Sequence, residues 1–302
     1  MNEKILLVDD EIDFLDVLSE FLMDEGYHVS CARDGNEALD KLSKEKFDLL
    51  LSDINMPGMK GFELIKESGR LYPATKTALI TAYDVRDYLY MAKHYGIGNI
   101  ITKTTPFNFE EVRLLVKNIL TEDVFGLDRY MHGEIHSAKI RSTNEIEGII
   151  QKIVADMPDT RHKRKFRQVL NEIIINAVYY GARQERGDRK ELWPQVVELT
   201  PSEEILIQWG TDEEKTGVAV RDQKGILTKE EVLYWLERNT TKGDNGVSIG
   251  LLDEHGKGLF ISRETIDRFI MNVKKGSKTE IVMLNYNEGL YDGYRPLWIH
   301  EF

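Results

Sequence analysis

Short runs of apolar residues alternate with amphipathic stretches along the first 120 residues of the chain. Runs of four to six such residues are typical of buried strands, and the stretches between them repeat their apolar positions at helical spacing. Regular alternation of strands and helices predicts an α/β domain with a doubly wound, five-stranded parallel sheet. The predicted strands are Ile5–Val8, Tyr27–Ala32, Phe47–Ser52, Thr77–Thr81 and Ile97–Thr102.

The pattern changes after about residue 142, where helices and strands come in blocks rather than in alternation. This arrangement favours an α+β second domain. The segment between the two patterns has no clear apolar period, so we expect a first domain at 1–120, a linker at 121–141 and a second domain at 142–302. In the second domain the pattern predicts helices near 146–153, 166–181, 232–236 and 259–270, and strands at 205–209, 217–221 and 279–286.

Composition and charge narrow the function classes. The chain has 40 basic and 52 acidic residues, a formal net charge of −12 at pH 7, which argues against a nucleic-acid partner because such binding depends on basic side chains. Apolar runs fall short of the roughly 20 residues that span a bilayer, and the start lacks a signal-peptide pattern. A single cysteine, Cys31, excludes an internal disulfide framework. We expect a cytoplasmic protein without a membrane partner.

Carboxylates follow two strands of the predicted first sheet. Asp9 and Asp10 come directly after the first strand, and Asp53 follows the third. In a doubly wound sheet these strand ends meet at one edge, where ligands bind. Three converging carboxylates would repel one another without a cation, and oxygen ligands of this kind suit Mg²⁺. Thr81 and Lys103 end the fourth and fifth strands, so a hydroxyl and an ammonium would complete a site for phosphoryl transfer onto an aspartate.

This ordered set resembles the receiver domain of two-component response regulators over the first 120 residues. The resemblance implies that Asp53 accepts a phosphoryl group from a sensor histidine kinase. It also implies that Asp10, Asp53 and the Asn55 backbone carbonyl bind Mg²⁺ with Asp9 beside them, while Thr81 and Lys103 hold the phosphoryl group. The residues that carry it are Val8-Asp9-Asp10-Glu11, Asp53-Ile54-Asn55-Met56-Pro57-Gly58-Met59-Lys60-Gly61, Thr81-Ala82 and Lys103.

Two positions depart from the family pattern. Lys103 is followed by Thr104, Thr105 and only then Pro106, where the family usually has proline directly after the lysine. The position three before the lysine, usually an aromatic switch residue, is Ile100. We expect phosphorylation to survive both changes, but a readout by rotation of a tyrosine cannot operate.

A second group of chemically suited residues lies on the helix at 166–181 and beyond it. Glu172 and Asn176 are one helical turn apart on a stripe beside the core face, a spacing that suits a general base and a Mg²⁺ ligand. Asp222 ends a strand, and Gly225 after it would permit close approach of the backbone to a ligand. Gly256-Lys257-Gly258 opens a later helix, whose free N–H groups favour phosphate.

These three boxes, in this order, resemble the GHKL-type ATP-binding domains, and among them the anti-sigma-factor serine/threonine kinases. The resemblance implies an ATP-binding α+β sandwich in which Asn176 binds Mg²⁺, Asp222 accepts from the adenine amino group and Glu172 is the base for a serine hydroxyl. The implied partner is a regulatory protein such as a sigma factor or an anti-anti-sigma protein, and both resembled families commonly form homodimers. The boxes are Glu172-Ile-Ile-Ile-Asn176, Asp222-Gln223-Lys224-Gly225-Ile226 and His255-Gly256-Lys257-Gly258-Leu259.

The first glycine box is altered, and it leaves two alternatives open. Lys224 and Ile226 stand where that family has glycines. Lys224 could narrow the pocket or help to hold phosphate. The second domain is therefore either a protein kinase or a module that binds nucleotide and sequesters a partner without chemistry. A histidine-kinase reading is weaker, because neither His132 nor His136 lies in a suitable motif.

Overall fold

A computed structural model describes residues 3–157, 163–185, 196–243, 246–252, 256–287 and 290–302 of the chain. The chain forms two compact units. The first unit runs to Asp123 and takes in a second stretch, Tyr291–Leu297; the second comprises Val124–Leu290 and Trp298–Phe302.

The first unit is built on five parallel strands in the order β2-β1-β3-β4-β5. All five predicted strands are present, and a helix follows each of them. The reversal of strand order lies between β1 and β3, the place where ligands bind in doubly wound sheets. The elements are β1 Lys4–Val8, α1 Ile12–Asp24, β2 His28–Ala32, α2 Gly35–Lys44, β3 Leu49–Asp53, α3 Gly61–Leu71, β4 Lys76–Thr81, α4 Leu89–Tyr95, β5 Asn99–Thr102 and α5 Phe109–Thr121.

Local sequence explains where these elements begin. The carboxylate of Asp34 accepts hydrogen bonds from the backbone N–H groups of Asn36 and Glu37, which caps the first turn of α2. The side chain of Asn108 caps α5 in the same way through Glu111 N–H. Strand β3 is buried along its whole length, so its apolar residues need no alternation.

A stretch from the far end of the sequence, residues 291–297, completes the first unit; we call it the strap. Thr105 N–H donates to the carbonyl of Asp292 at 2.8 Å, and Asp292 N–H donates back to Thr105 at 3.1 Å. Thr102 Oγ1 donates to the carbonyl of Tyr294 at 2.8 Å. The strap therefore holds the loop that follows β5, on both sides of Lys103.

The second unit contains a six-stranded mixed sheet in the order β11-β9-β10-β8-β7-β6. Strands β6 to β10 pair in antiparallel fashion, and β11 pairs parallel to β9 through the register Trp298 with Ile270. The elements are β6 Ile135–Ile140, α6 Ile146–Asp156, α7 Lys163–Asn176, β7 Ile205–Thr211, β8 Lys215–Asp222, α8 Lys229–Thr240, α9 Lys257–Thr265, β9 Arg268–Lys274, β10 Lys278–Tyr286 and β11 Leu297–Glu301.

The helices of the second unit pack on one another and on the sheet. Helix α7 packs against α6 and α9, and α8 packs against α9. Directly after Asn176, the backbone of α7 widens into a π-helical turn, Ala177–Ala182, which lies against β7 and β8. Apolar residues of α7 such as Phe166, Leu170 and Ile173 are fully buried. This packing fixes the end of α7 beside the end of β8.

The predicted linker at 121–141 is in part ordered within the second unit. It contains strand β6 and a segment that is hydrogen-bonded to the sheet. Gly126 N–H donates to Glu280 Oε1 at 2.9 Å, and Asn272 Nδ2 donates to the carbonyl of Val124 at 2.8 Å. The other oxygen of the fully buried Glu280 accepts from Arg221 Nε at 2.7 Å. The chain therefore becomes part of the second unit from Val124 onward.

One prediction was wrong. The apolar stretch at 259–270 is not one helix, since α9 ends at Thr265 and strand β9 begins at Arg268. Six of the seven residues of β9 are buried, and a fully buried run gives no period that separates a strand from a helix. The sequence also gave no sign of β11.

Candidate functional site

A lysine and two aspartates meet at the carboxyl edge of the first sheet. Asp9 follows β1, Asp53 ends β3 and Lys103 follows β5. Lys103 Nζ lies 2.9 Å from Asp9 Oδ2 and 3.1 Å from Asp53 Oδ1. Both aspartates are buried, whereas Asp10 is exposed on the same loop. The fold thus brings together two of the three predicted carboxylates around one ammonium.

Backbone donors fix the two buried carboxylates. Glu11 N–H donates to Asp9 Oδ1 at 3.0 Å, and Asn55 N–H donates to Asp53 Oδ2 at 2.5 Å. Thr81 is fully buried at the end of β4, and its Oγ1 accepts from Tyr83 N–H at 3.1 Å. Asp9, Asp53 and Thr81 are therefore each oriented by a backbone N–H group of the loop that follows them.

The charges of this cluster shift the pKa values of its members. Burial raises the pKa of Asp9 above its usual value, and the charge of Asp53 raises it further, although Glu11 N–H and Lys103 partly offset this. Burial alone would lower the pKa of Lys103, but the charges of Asp53 and Asp9 outweigh it and raise the pKa. Lys103 is therefore a permanent cation at neutral pH.

The donor chemistry of the edge fits a hard divalent cation. Its oxygens belong to carboxylates, the ligands that Mg²⁺ prefers, and Asp10 stands beside the buried pair. Within the described ranges, no group of three or more acidic, histidine or cysteine side chains is already arranged to hold a metal. Mg²⁺ suits such an incomplete set, since it usually keeps several waters and takes one or two carboxylates.

Three residues at this edge escaped the sequence analysis as site residues. Glu11 Oε1 lies 3.1 Å from Lys103 Nζ, and the ring of Phe14 lies 4.3 Å below the same ammonium. Tyr88 receives a hydrogen bond at its hydroxyl from Asn55 Nδ2. Glu11 stands beside the aspartates in sequence and could have been included. Nothing in the sequence pattern marks Phe14 or Tyr88.

A cavity of about 710 Å³ opens in the second unit between the end of α7, the end of β8 and the helices α8 and α9. Six of the seven residues predicted to act here line the cavity, and Gly225 does not. The predicted residues on its wall are Glu172, Asn176, Asp222, Gly256, Lys257 and Gly258. Apolar side chains supply much of the rest, among them Ile173, Val220, Ile226, Leu227, Trp235, Leu259, Ile261 and Ile281.

The acid and the amide of the cavity are held by specific contacts. Asn176 Nδ2 donates to Glu172 Oε1 at 3.2 Å, which leaves the amide oxygen of Asn176 as an acceptor. Asp222 is 5% exposed, and its Oδ1 accepts from the backbone N–H groups of Lys224 at 2.8 Å and Gly225 at 3.2 Å. Burial raises the pKa of Asp222, and these two donors offset part of that rise.

Three glycines shape this site through close approach. A Cβ on Gly181, in the π-helical turn, would stand 2.7 Å from Asp222 Oδ2, and one on Gly258 would stand 1.9 Å from Glu172 Oε1. Gly225 has a φ of +61°, and a Cβ there would lie 2.2 Å from the carbonyl of Lys274. Gly225 therefore shapes the turn under Asp222 rather than the cavity wall.

The two replaced glycine positions differ in their placement. Ile226 lines the cavity, but Lys224 is not one of its lining residues. Hydrogen bonds from Thr200 are the main cause of the lowered pKa of Glu203, and the charge of Lys224 lowers it further. The lysine thus does not fill the hollow. His255 and parts of the expected lid at 227–255 lie outside the described residues.

Comparison with known proteins bears on the first unit. Residues 5–117 match the family model of the response regulator receiver domain. The chain is 38% identical over 120 residues to sporulation initiation phosphotransferase F of Bacillus subtilis, an alignment that covers 40% of this chain and 95% of that protein. The chain belongs to the response-regulator family. Its first unit is the receiver domain, with the flavodoxin-like fold.

A further relative agrees with this assignment. Transcriptional regulatory protein CrdR of Helicobacter pylori is 34% identical over 147 residues, covering 48% of this chain and 68% of that one. Response regulator protein TrrA of Thermotoga maritima, in complex with Mg²⁺ and BeF, is 35% identical, with 39% of this chain and 99% of that chain covered and a TM-score of 0.36. In the described part of the regulator, no helix has both the length and the apolar character needed to cross a membrane.

Proposed function

We propose that Asp53 is phosphorylated by a cognate sensor histidine kinase and that the receiver binds Mg²⁺ through Asp10, Asp53 and the Asn55 backbone carbonyl, with Asp9 beside them. The observation that carries this proposal is the convergence of Asp9 and Asp53 on Lys103 Nζ, within 3.1 Å. The Mg²⁺-bound TrrA relative adds support for the metal. When bound, the cation would neutralise charge on the phosphoryl oxygens.

The roles of the receiver residues follow from their positions. A carboxylate oxygen of Asp53 attacks phosphorus, the bond from phosphorus to the donor histidine breaks, and that histidine leaves with its electron pair. Lys103 is already placed against Asp53 Oδ1, so its ammonium can follow the new charge without reorganisation. Thr81 supplies a hydroxyl at the neighbouring strand end.

The test of this step uses acetyl phosphate and Mg²⁺ with the full chain. Phosphate-affinity electrophoresis should show one shifted species that disappears in Asp53→Asn. The matched control is Asp40→Asn, which alters an exposed carboxylate of α2 paired only with Lys44 in the salt bridges observed there. A shift that persists in Asp53→Asn would disprove the assignment.

We also propose that the cavity of the second unit binds Mg-ATP. Its volume suits a nucleotide, and Asp222 provides a buried acceptor at one side. Asn176 offers an amide oxygen for Mg²⁺, while the start of α9 at Gly256, Lys257 and Gly258 offers N–H groups and an ammonium for phosphates. The apolar wall that includes Trp235 and Ile281 suits the faces of a purine.

The reaction proposed for this unit is transfer of phosphate to a serine or threonine of a regulatory partner, such as a sigma factor or an anti-anti-sigma protein. Glu172 lines the cavity beside Asn176 and would act as the base. An alternative is a sequestering module that binds nucleotide without chemistry. It is favoured by the altered glycine box, in which Lys224 and Ile226 replace glycines and Ile226 lines the cavity.

Calorimetry with ATP and Mg²⁺, before and after acetyl-phosphate treatment, tests nucleotide binding and its control by the receiver. Binding should be lost in Asn176→Ala, and retained in Gln151→Ala, a control on the exposed face of α6. Failure of the wild-type chain to bind would remove the nucleotide proposal. Labelled phosphate that reaches a partner protein and is lost in Glu172→Gln would separate the kinase from the sequestering module.

A further inference from the structure

A tyrosine in the connection between β4 and α4 is hydrogen-bonded to Asn55, the residue whose N–H contacts Asp53. Tyr88 ends a short 3₁₀ turn, Val85–Tyr88, in the connection between β4 and α4. Its hydroxyl accepts a short hydrogen bond from Asn55 Nδ2. The ring is half-buried, with its centroid 6.0 Å from that of Phe62 on α3. Tyr88 thus joins the loop after β4 to the loop after β3.

The partner of Tyr88 is the residue that also contacts the nucleophile. Asn55 N–H donates to Asp53 Oδ2 at 2.5 Å, while the carboxamide of Asn55 reaches Tyr88. Asn55 is exposed, so its side chain would be free to move in water without this second bond. The tyrosine therefore determines where a polar, mobile side chain stands beside Asp53.

The 3₁₀ turn that carries Tyr88 is held in place by a cap and by a buried residue. Asp84 accepts from Arg86 N–H at 2.9 Å and pairs with the Arg86 side chain, which caps the 3₁₀ turn. Val85 in the same turn is fully buried. The turn begins four residues after Thr81, so a short connection joins it to the strand end that carries the hydroxyl of the site.

We propose that Tyr88 is a positioning residue that lengthens the life of phosphorylated Asp53 by holding the carboxamide of Asn55. This inference rests on the proposed phosphorylation of Asp53. In the loss reaction, a water oxygen attacks phosphorus, the bond from phosphorus to the Asp53 oxygen breaks, and the carboxylate leaves as inorganic phosphate forms. The attacking water must give up a proton and needs hydrogen-bond partners beside Asp53. With Nδ2 bonded to Tyr88, Asn55 is kept from orienting that water.

The size of the effect follows from the loss of one hydrogen bond. Phenylalanine at 88 keeps the ring against Phe62 but frees Asn55. A single hydrogen bond of this type corresponds to about a three- to tenfold change in rate. Tyr88→Phe should therefore lose phosphate about three- to tenfold faster than the wild type.

The experiment loads the full chain from acetyl phosphate and Mg²⁺, removes the donor, and follows the phosphorylated fraction by phosphate-affinity electrophoresis. Tyr90→Phe is the matched control, because Tyr90 is 62% exposed on α4 and stacks on His94. It should decay at the wild-type rate. Asn55→Ala removes the side chain through which Tyr88 acts, so adding Tyr88→Phe to it should cause no further change.

Each result decides between the possibilities. Faster decay in Tyr88→Phe, with no further change on the Asn55→Ala background, supports the inference. Equal or slower decay in Tyr88→Phe, or an additive effect in the double variant, overturns it while leaving the phosphorylation of Asp53 intact. A wild-type chain that takes up no phosphate at Asp53 overturns the proposed receiver function and this inference together.

Discussion

A Cβ built on Gly181 would stand 2.7 Å from Oδ2 of Asp222 and 3.1 Å from that residue's own Cβ. The π-helical turn after α7 and the end of β8 therefore touch at a point where only glycine fits. Because Asp222 is the proposed adenine acceptor, this contact couples helix packing to ligand binding.

We predict that Gly181→Ala weakens ATP binding about tenfold or more and destabilises the second unit by about 1–3 kcal/mol, because the helix or Asp222 must shift. Gly148→Ala is the control: Gly148 lies on α6, and a Cβ there meets nothing within 4 Å. It should leave binding unchanged and stabilise by about 0.5–1 kcal/mol. Calorimetry and urea unfolding followed by tryptophan fluorescence measure both, since all four tryptophans follow residue 123. Equal behaviour of the two variants would contradict this account.

Lys103→Met tests the charge balance of the receiver. The variant leaves Asp9 and Asp53 buried and facing each other, a loss we expect to cost about 3–5 kcal/mol. The pKa of Asp9 is already raised, and without the lysine it rises further. A raised carboxylate pKa gives stability that is present at low pH and lost as the pH rises through it, so the deficit should be smaller at pH 5 than at pH 8.

Hydrogen exchange of the first unit measures this deficit. Lys44→Met is the control, because the Lys44 side chain is 68% exposed and its pair with Asp40 lies at the surface. We expect the control to change stability by less than about 0.5 kcal/mol. A deficit in Lys103→Met that does not depend on pH would argue that the carboxylates do not repel one another.

The altered glycine box gives a prediction that separates its two unusual residues. Ile226 lines the cavity and is 39% exposed, whereas Lys224 does not line it. Ile226→Ala should weaken ATP binding about fivefold through lost apolar contact, and Lys224→Ala should leave the affinity unchanged. The opposite pattern in calorimetry would place the ammonium of Lys224 at the phosphates.

The buried histidine of the last strand should make the second unit sensitive to acid. Burial lowers the pKa of His300 from 6.5 to about 3, and its Nε2 has no hydrogen-bond partner among the described residues. Because the folded protein holds His300 neutral, the lowered pKa costs no folding stability at a pH above 6.5. The cost in stability grows as the pH falls below 6.5. Between pH 7 and pH 5 the loss should be about 2 kcal/mol.

His300→Phe should remove this loss, as measured by the urea midpoint from tryptophan fluorescence at the two pH values. The control is His136→Phe, because the His136 side chain on β6 is 45% exposed. This variant should keep the acid sensitivity of the wild type. If His300→Phe loses as much stability on acidification as the wild type, another group is responsible.

The strands and the site residues of the receiver were predictable because local sequence patterns indicate them. Runs such as Leu49–Asp53 are short, apolar and bounded by turns, and Asp9, Asp53 and Lys103 fall at strand ends. Strand β9 was mistaken for helix because nearly every residue in it is buried, which removes the period-two signal. Strand β11 is five residues long and sits apart from the β9 that it pairs with, so only the tertiary structure reveals it.

The cavity of the second unit was predictable in its polar residues but not in its shape. Spacing placed Glu172 and Asn176 on one stripe, and the strand end marked Asp222. The π-helical turn and the contact of Gly258 with Glu172 depend on how elements distant in sequence pack, and no local pattern encodes them. For the same reason Lys224 could not be assigned from its place in the box.

The strap makes the receiver discontinuous in sequence. Its residues return from the second unit, bind the loop beside Lys103, and run on into that unit again through β11. A single proteolytic cut after Asp123 would therefore release the five strands and five helices of the receiver without the chain that bonds Thr102 and Thr105. The bonds that flank Lys103 therefore depend on a segment encoded about 170 residues downstream of Asp123.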